Sequence, residues 1–327
     1  MEPVLRGVFL DTGSLNAGEP DKPDLDFSAI KALPIRWQYH AATDSRDIVE
    51  RLQGAEVVVT NKVVLDAPLL EQLPALKLIA VAATGVNNVD LDAARRQGMT
   101  VCNVTGYATP SVVQHVFMLI LCLLRRLPAY STAVHNGRWQ QSPHFCLLDY
   151  PIDELQDKTL GIVGYGELGQ SVARMGEAFG MRRLIARRDV SDTRAGRVDL
   201  PQLLSQVDIL SLHCPLTAQT RNLIGAGQLA LMKPEAILIN TARGGIVDES
   251  ALYQALREGR LGGAGVDVLN QEPPGDDNPL LQAELDNLII TPHIAWASRA
   301  SRQRLLNQVA DNIASYLAGG AVRNKVC

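Results

Sequence analysis

The chain has 327 residues, 46% of them hydrophobic and 20% charged. That is enough apolar material for a large buried core and, at usual domain sizes, about two domains. A formal net charge of −4 sets the surface against nucleic acid and anionic membrane, and leaves small anionic ligands that need only a local basic pocket. Five cysteines (Cys102, Cys122, Cys146, Cys214, Cys327) form neither a CxxC pair nor a Cys/His cluster, so neither a disulfide framework nor a metal site is expected, and a reducing compartment fits best.

The amino-terminal MEPVLRGVFLDTG lacks a basic n-region, a long apolar h-region and a small-residue cleavage site. No signal peptide is expected, and the cytoplasm is the expected location. Along the chain, VLRGVFLD, AEVVVTN, LKLIAVAATG, TLGIVGYG, VDILSLHC, AILINTA, GAGVDVL and NLIITPHI alternate with helix-like stretches. Short apolar runs bounded by Gly, Asp, Thr or Pro suit strands buried on both faces of a parallel sheet, so the class is α/β. The strongest helix is expected from about Ser111 to Leu127, entered through Thr-Pro and ending on two arginines that complement its dipole. Its apolar run at 116–124 is about half of the roughly 20 residues a bilayer requires, so a buried helix is the reading and no membrane partner is expected. Residues 134–158 show no periodicity and read as an arm.

Gly164, Gly166 and Gly169 have G-x-G-x-x-G spacing, with an apolar strand before them and a helix-compatible stretch after. The first two glycines let backbone approach a pyrophosphate, whose charge is met by amides around Glu167 and Leu168 at the helix start; the third lets helix and strand pack closely. Where an acidic residue would read the ribose 2′-hydroxyl of NAD, after RRLIA, the chain has Arg187 and Arg188. That arrangement favours NADP(H), with NAD(H) as the alternative, since Asp189 follows within reach of a ribose hydroxyl.

The run INTARGGIVDESALYQALREGRLGGAGVDVLNQEPP at 239–274, then ITPHIAWAS, resembles the D-isomer-specific 2-hydroxyacid dehydrogenases. VAATGVNNVD, NVTGYATPSVVQHVF and the glycine loop extend the resemblance across nearly the whole chain, and TGYATPSVVQH with PHIAWAS is most similar to the glycerate dehydrogenase and hydroxypyruvate reductase branch. The resemblance implies two Rossmann-like domains with parallel sheets flanked by helices. One is a discontinuous, flavodoxin-like substrate domain, 1–102 with 297–327, and the other is a nucleotide-binding domain, 103–296. It also implies a homodimer with the 134–158 arm reaching across.

Reduction of a 2-keto acid adds hydride to carbon and a proton to oxygen, so a site needs a carboxylate anchor, a carbonyl polariser and an acid. By resemblance these are Arg243, which clamps carboxylate and ketone, and His293, the general acid oriented by Glu272. Resemblance also places the substrate carboxylate on the amides of Thr84 and Gly85, Asp267 at the nicotinamide carboxamide, Cys214 and Pro215 beside the adenosine, and Thr241 near the nicotinamide. Trp296 has two readings, packing and pocket lining, and Asn61 and Lys62 either face the cleft or form an ordinary polar turn. His115 and His213 read as structural. The expected activity is NAD(P)H-dependent reduction of small 2-keto acids such as hydroxypyruvate and glyoxylate. Phosphite or another D-2-hydroxy acid is an alternative substrate, and a cofactor-sensing, corepressor-like binding protein is the alternative class.

Overall fold

The computed structural model describes residues 5–16, 24–189, 191–282 and 284–327. The first four residues of the stretch read above for a leader lie outside them. The chain divides into two compact units, one made of the residues up to Ala108 together with Trp296–Cys327, the other of Thr109–Ala295.

The first unit is built on β1 (Leu5–Phe9), β2 (Ile35–Tyr39), β3 (Val57–Thr60), β4 (Leu78–Val81) and β5 (Thr100–Cys102), ordered β2-β1-β3-β4-β5 with every pairing parallel. Each residue of β3 and β4 is buried. Alternate side chains serve opposite layers: Val57, Val59, Leu78 and Ala80 pack with Leu305, Leu306 and Val309 of the helix Arg299–Leu317, while Val58 and Ile79 pack with Ile48 and Leu52. Both faces are thus covered, which is why these strands read as unbroken apolar runs.

The second unit contains β6 (Thr159–Val163), β7 (Arg182–Ala186), β8 (Arg197–Val198), β9 (Ile209–Leu212), β10 (Ile237–Asn240), β11 (Gly263–Val266) and β12 (Leu288–Ile290). Their order is β12-β11-β10-β9-β6-β7-β8, again all parallel. The strand order reverses between β6 and β9, and in such sheets ligands bind outside the carboxyl ends at that switch point. The long helix spans Thr109–Leu124 rather than continuing through the two arginines. Arg126 turns into the left-handed region at φ 50°, and a second helix, Leu127–His135, starts with a proline in its first turn. The first of these helices lies on β11, where a Cβ on Gly265 would sit 2.9 Å from Leu119 Cβ. Among the described residues no single helix is long and apolar enough to cross a membrane; these two helices pass that test only as a pair, bent by 61°. Beyond His135 the arm carries no helix or strand up to β6 and is tied by side-chain bonds such as Trp139 Nε1 to Phe145 O, 3.0 Å.

Candidate active site

The glycine loop sits at the switch point. Gly164 has φ 91°, and a Cβ on it would fall 2.5 Å from the amide nitrogen of Cys214, so the loop passes directly over the end of β9. A Cβ on Gly169 would lie 2.1 Å from the Gly164 carbonyl oxygen, which enforces close packing of helix on strand. Gly166 caps the helix Glu167–Ala178, and a Cβ there meets nothing within 4 Å, so the space ahead of the helix amides is open. Glu167 accepts a hydrogen bond from Thr109 Oγ1 at 2.5 Å, and Leu168 is half-buried behind it. Cys214 is half-buried, with its thiol held above the ordinary range by burial, and Pro215 is exposed. Burial pushes the neighbouring His213 imidazole down to about 4, and its Nε2 meets Ser211 Oγ at 2.8 Å, the arrangement of a neutral structural histidine. The Thr241 hydroxyl, just beyond β10, is buried and has no hydrogen-bond partner among the described residues. A glycine cradle, an open helix start and an orphaned hydroxyl at adjacent strand ends fit a bound dinucleotide.

Arg187 and Arg188 follow β7 directly, as the spacing predicts. Arg187 Nε is 3.2 Å from Asp199 Oδ1, close enough to pair but not aligned as a hydrogen bond. The Arg188 side chain is 86% exposed and only loosely paired with Asp189. Asp189 is turned onto Ser191, whose amide and hydroxyl both donate to it. A third basic residue, Arg197, stacks its guanidinium 4.9 Å from the ring centroid of Tyr165 in the glycine loop. Sequence spacing had not pointed to it, because its strand is only two residues long.

Around β10, β11 and β12, two of the three expected reacting residues are hydrogen-bonded to each other. His293 Nδ1 lies 2.6 Å from Glu272 Oε2, while Glu272 Oε1 accepts the Leu269 amide at 2.9 Å. A carboxylate only accepts, so Nδ1 carries the hydrogen. His293 itself is held at φ 55°, a conformation that costs a non-glycine residue about 1 kcal/mol or more. Its amide donates to the Asp267 carbonyl at 2.8 Å. Arg243 is exposed and, among the described residues, pairs with no carboxylate; one guanidinium nitrogen donates to Ala242 O at 2.7 Å. Asn240 stiffens its turn by donating to Arg243 O and accepting from the Ala242 amide.

Two features of this cluster were not visible in the motifs. A Cβ on Gly244 would lie 1.8 Å from the Leu269 carbonyl oxygen, so the Arg243 turn is pressed against the backbone that anchors Glu272. Gly244→Ala should therefore lower thermal stability, by about 1–3 kcal/mol as overpacked cores do, and cut keto-acid reduction with it. A variant melting and turning over like the wild type would refute that coupling. The second feature is what Asp267, which the resemblance put at the nicotinamide carboxamide, holds in place. Its side chain is 1% exposed, and its carboxylate accepts from Thr291 Oγ1 at 2.6 Å and from the amides of Ile294 and Ala295 at 2.9 Å. It holds the segment bearing His293.

The remaining candidates belong to the first unit. Thr84 and Gly85 follow β4; their amides donate to nothing among the described residues, and the Thr84 carbonyl accepts Asn103 Nδ2 at 2.7 Å. Asn61 and Lys62 form a turn whose amides both donate to the buried carboxylate of Asp11. Asn61 is itself buried and donates to Ala82 O, while Lys62 is exposed. Trp296 packs edge-on to Tyr107 at 6.4 Å in this unit's core.

A twice-reversing parallel fold with a glycine cradle at one switch point and an Arg, Glu, His cluster beyond it defines a nucleotide-dependent oxidoreductase. The sequence model of the D-isomer specific 2-hydroxyacid dehydrogenase NAD binding domain matches residues 117–295. Glycerate dehydrogenase of Methylorubrum extorquens is 51% identical over 95% of this chain and 96% of its own. Among solved structures, the TT0316 protein of Thermus thermophilus is 33% identical with a TM-score of 0.86, covering 99% of this chain and 100% of that one. The NADPH-dependent glyoxylate/hydroxypyruvate reductase of Sinorhizobium meliloti, in complex with NADP and malonate, is 27% identical with a TM-score of 0.82, covering 99% and 97%. The chain belongs to the D-isomer specific 2-hydroxyacid dehydrogenase family and uses a nicotinamide cofactor.

Proposed function

We propose that the protein reduces small 2-keto acids, hydroxypyruvate and glyoxylate first among them, to D-2-hydroxy acids. The observation that carries this reading is the 2.6 Å Glu272–His293 pair, wired through Leu269 and Gly244 to an arginine with no carboxylate partner among the described residues. The names of the Methylorubrum and Sinorhizobium proteins support the choice of substrate.

In this reading the nicotinamide ring supplies the hydride when the cofactor is bound. Gly164, Gly166 and Gly169, with the amides of Glu167 and Leu168, hold its pyrophosphate. Cys214 and Pro215 flank its adenosine, and the Thr241 hydroxyl is available to the nicotinamide end. Arg243 clamps the substrate carboxylate and polarises the ketone through its planar fork; in the first unit the amides of Thr84 and Gly85 are proposed as carboxylate donors. Protonated His293 delivers a proton from Nε2 to the carbonyl oxygen, and Glu272 stabilises the charged imidazole and fixes its ring.

The preferred cofactor is NADPH. Support comes from the two arginines where a carboxylate would otherwise read the ribose, one of them 86% exposed. A panel of keto acids assayed with each cofactor tests the whole reading. Hydroxypyruvate and glyoxylate should outpace phenylpyruvate, NADPH should give the higher kcat/KM, and Arg187→Asp should flatten or reverse that preference. One well-formed charge-assisted bond, at roughly 1.5–3 kcal/mol, corresponds to a change of about 10- to 100-fold. Equal use of both cofactors by the wild type would overturn the cofactor assignment, and no turnover of any keto acid would overturn the function.

The protein acts as a homodimer in this proposal. The arm presents Phe145, 92% exposed, and Leu148, 80% exposed, along with Trp139 and the helix residue Leu127, a concentration of apolar surface that a partner's arm would cover. Sedimentation at micromolar concentration should give twice the mass of the chain, falling for Phe145→Ser with Leu148→Ser; a wild-type monomer would exclude the proposal. The free thiols of all five cysteines accord with a cytoplasmic setting.

A further inference from the structure

The helix Thr109–Leu124 turns one face toward the segment that carries His293. Residues four apart share a helix face, and here Ser111, His115 and Leu119 do so. Leu119 meets β11 at Gly265, His115 Nε2 lies 2.9 Å from Thr291 Oγ1, and Ser111 Oγ donates to Ala295 O at 2.7 Å. The absence of a side chain at Gly265 brings the helix close enough for His115 to reach Thr291, just past the neighbouring strand β12, and to come within 3.5 Å of Asp267 Oδ1 at the end of β11.

Donor arithmetic then settles the direction of these bonds. Thr291 has one hydroxyl hydrogen, and its Oγ1 donates it to Asp267 Oδ1, 2.6 Å away, which only accepts. Thr291 Oγ1 must therefore accept from His115, so His115 carries its hydrogen on Nε2. The Asp267 carboxylate also takes the amides of Ile294 and Ala295, and the Asp267 carbonyl takes that of His293. A relay thus runs from His115 through Thr291 to Asp267, and from both faces of Asp267 to the strained turn at His293. The His115 side chain is 10% exposed, and burial keeps its imidazole below the ordinary value, opposed by the nearby Asp267 charge. A neutral Nε2–H ring is what the relay requires.

We propose that His115 is a positioning residue for the reaction, holding the 291–295 turn so that His293 stays in its left-handed conformation with Nδ1 on Glu272. Leucine at the same place would fill the space and leave Thr291 Oγ1 without its donor. The turn would then lose one of its ties, keeping those to Asp267, Ser111 and, through the Thr291 amide, Val266 O; misplacement of a reacting group by about 1 Å costs up to about 100-fold in rate.

This inference rests on the proposed keto-acid reduction, and the experiment separates the two. His115→Leu, His115→Gln and Thr291→Val are compared with wild type for kcat and KM on hydroxypyruvate, for NADPH affinity by fluorescence, and for ring ¹⁵N shifts of His293. His115→Leu should lower kcat about 10- to 100-fold with NADPH affinity within about twofold of wild type. His115→Gln, whose amide donates in place of Nε2–H, should recover most of the loss. Thr291→Val should reproduce the leucine defect and add little to it in the double variant, since both break one relay. Wild-type kcat in His115→Leu, or equal losses in the leucine and glutamine variants, would overturn the role. If His115→Leu does not fold, the glutamine and valine variants decide the matter by the same criteria. A wild type inert toward every keto acid would sink the proposed function instead; the His293 ring shifts would then decide, since they should move in His115→Leu and stay in place in His115→Gln.

Discussion

His293→Gln is expected to bind NADPH as tightly as wild type and to lose about 10²- to 10⁴-fold in keto-acid reduction, the usual range for removing a general acid. Glutamine is close to histidine in size and keeps a polar end near Glu272, so the turn held by Asp267 has no reason to collapse. It has no proton to deliver at neutral pH. The glycine loop, which holds the cofactor, belongs to a different set of strand ends, β6 and β9, from the β11 and β12 ends that carry the acid and its support. Binding and chemistry should therefore separate cleanly in the measurement. Fluorescence titration of NADPH and single-turnover hydroxypyruvate reduction read the two quantities independently. Turnover within threefold of wild type would remove His293 from the mechanism, whereas loss of cofactor binding would show that it supports the fold.

Arg243→Ala should cost about 10²- to 10⁴-fold in kcat/KM, because two charge-assisted hydrogen bonds of roughly 1.5–3 kcal/mol each are lost to the substrate. The defect should divide between the two kinetic constants. The carboxylate anchor is made equally in ground and transition states and appears in KM; the ketone contact tightens as negative charge builds on oxygen and appears in kcat. Arg243→Lys should recover only part of either, since an ammonium lacks the planar fork that spans both oxygens. The side chain is exposed and pairs with no carboxylate among the described residues, so its removal should leave the melting temperature within a few degrees of wild type. An alanine variant with unchanged KM and kcat would mean that another residue holds the carboxylate.

Much of this architecture was legible in the amino-acid order. The short apolar runs named β1, β3, β4, β6, β9, β10, β11 and β12 correctly because strands of a parallel sheet packed under helices are apolar at most positions, and that requirement is local. The same holds for Gly164, Gly166 and Gly169, whose spacing encodes a backbone turn. β7 was read from RRLIA by its place after the glycine helix, and three strands left no mark. β2 is an edge strand with mostly exposed or half-buried side chains, β5 has three residues and β8 two, too few to show a period. The long helix was read three residues too far, since its end is set by a left-handed Arg126 that composition does not announce.

Arg243, Glu272 and His293 were singled out as candidates by the resemblance of the motifs around them. What only the tertiary structure decided is how these residues are held. Asp267 is 24 positions from Thr291, and His115 is 176 positions from it. Whether such groups meet depends on which helix lies on which strand and how closely. Here that was settled by the missing side chain of Gly265, by that of Gly244, where a Cβ would lie 1.8 Å from the Leu269 carbonyl oxygen, and by the parallel register that ends β11 and β12 side by side. Local pattern specifies which faces are buried. Hydrogen-bond partners across a core are specified only when the elements have packed, because each donor finds its acceptor within about 3 Å or not at all.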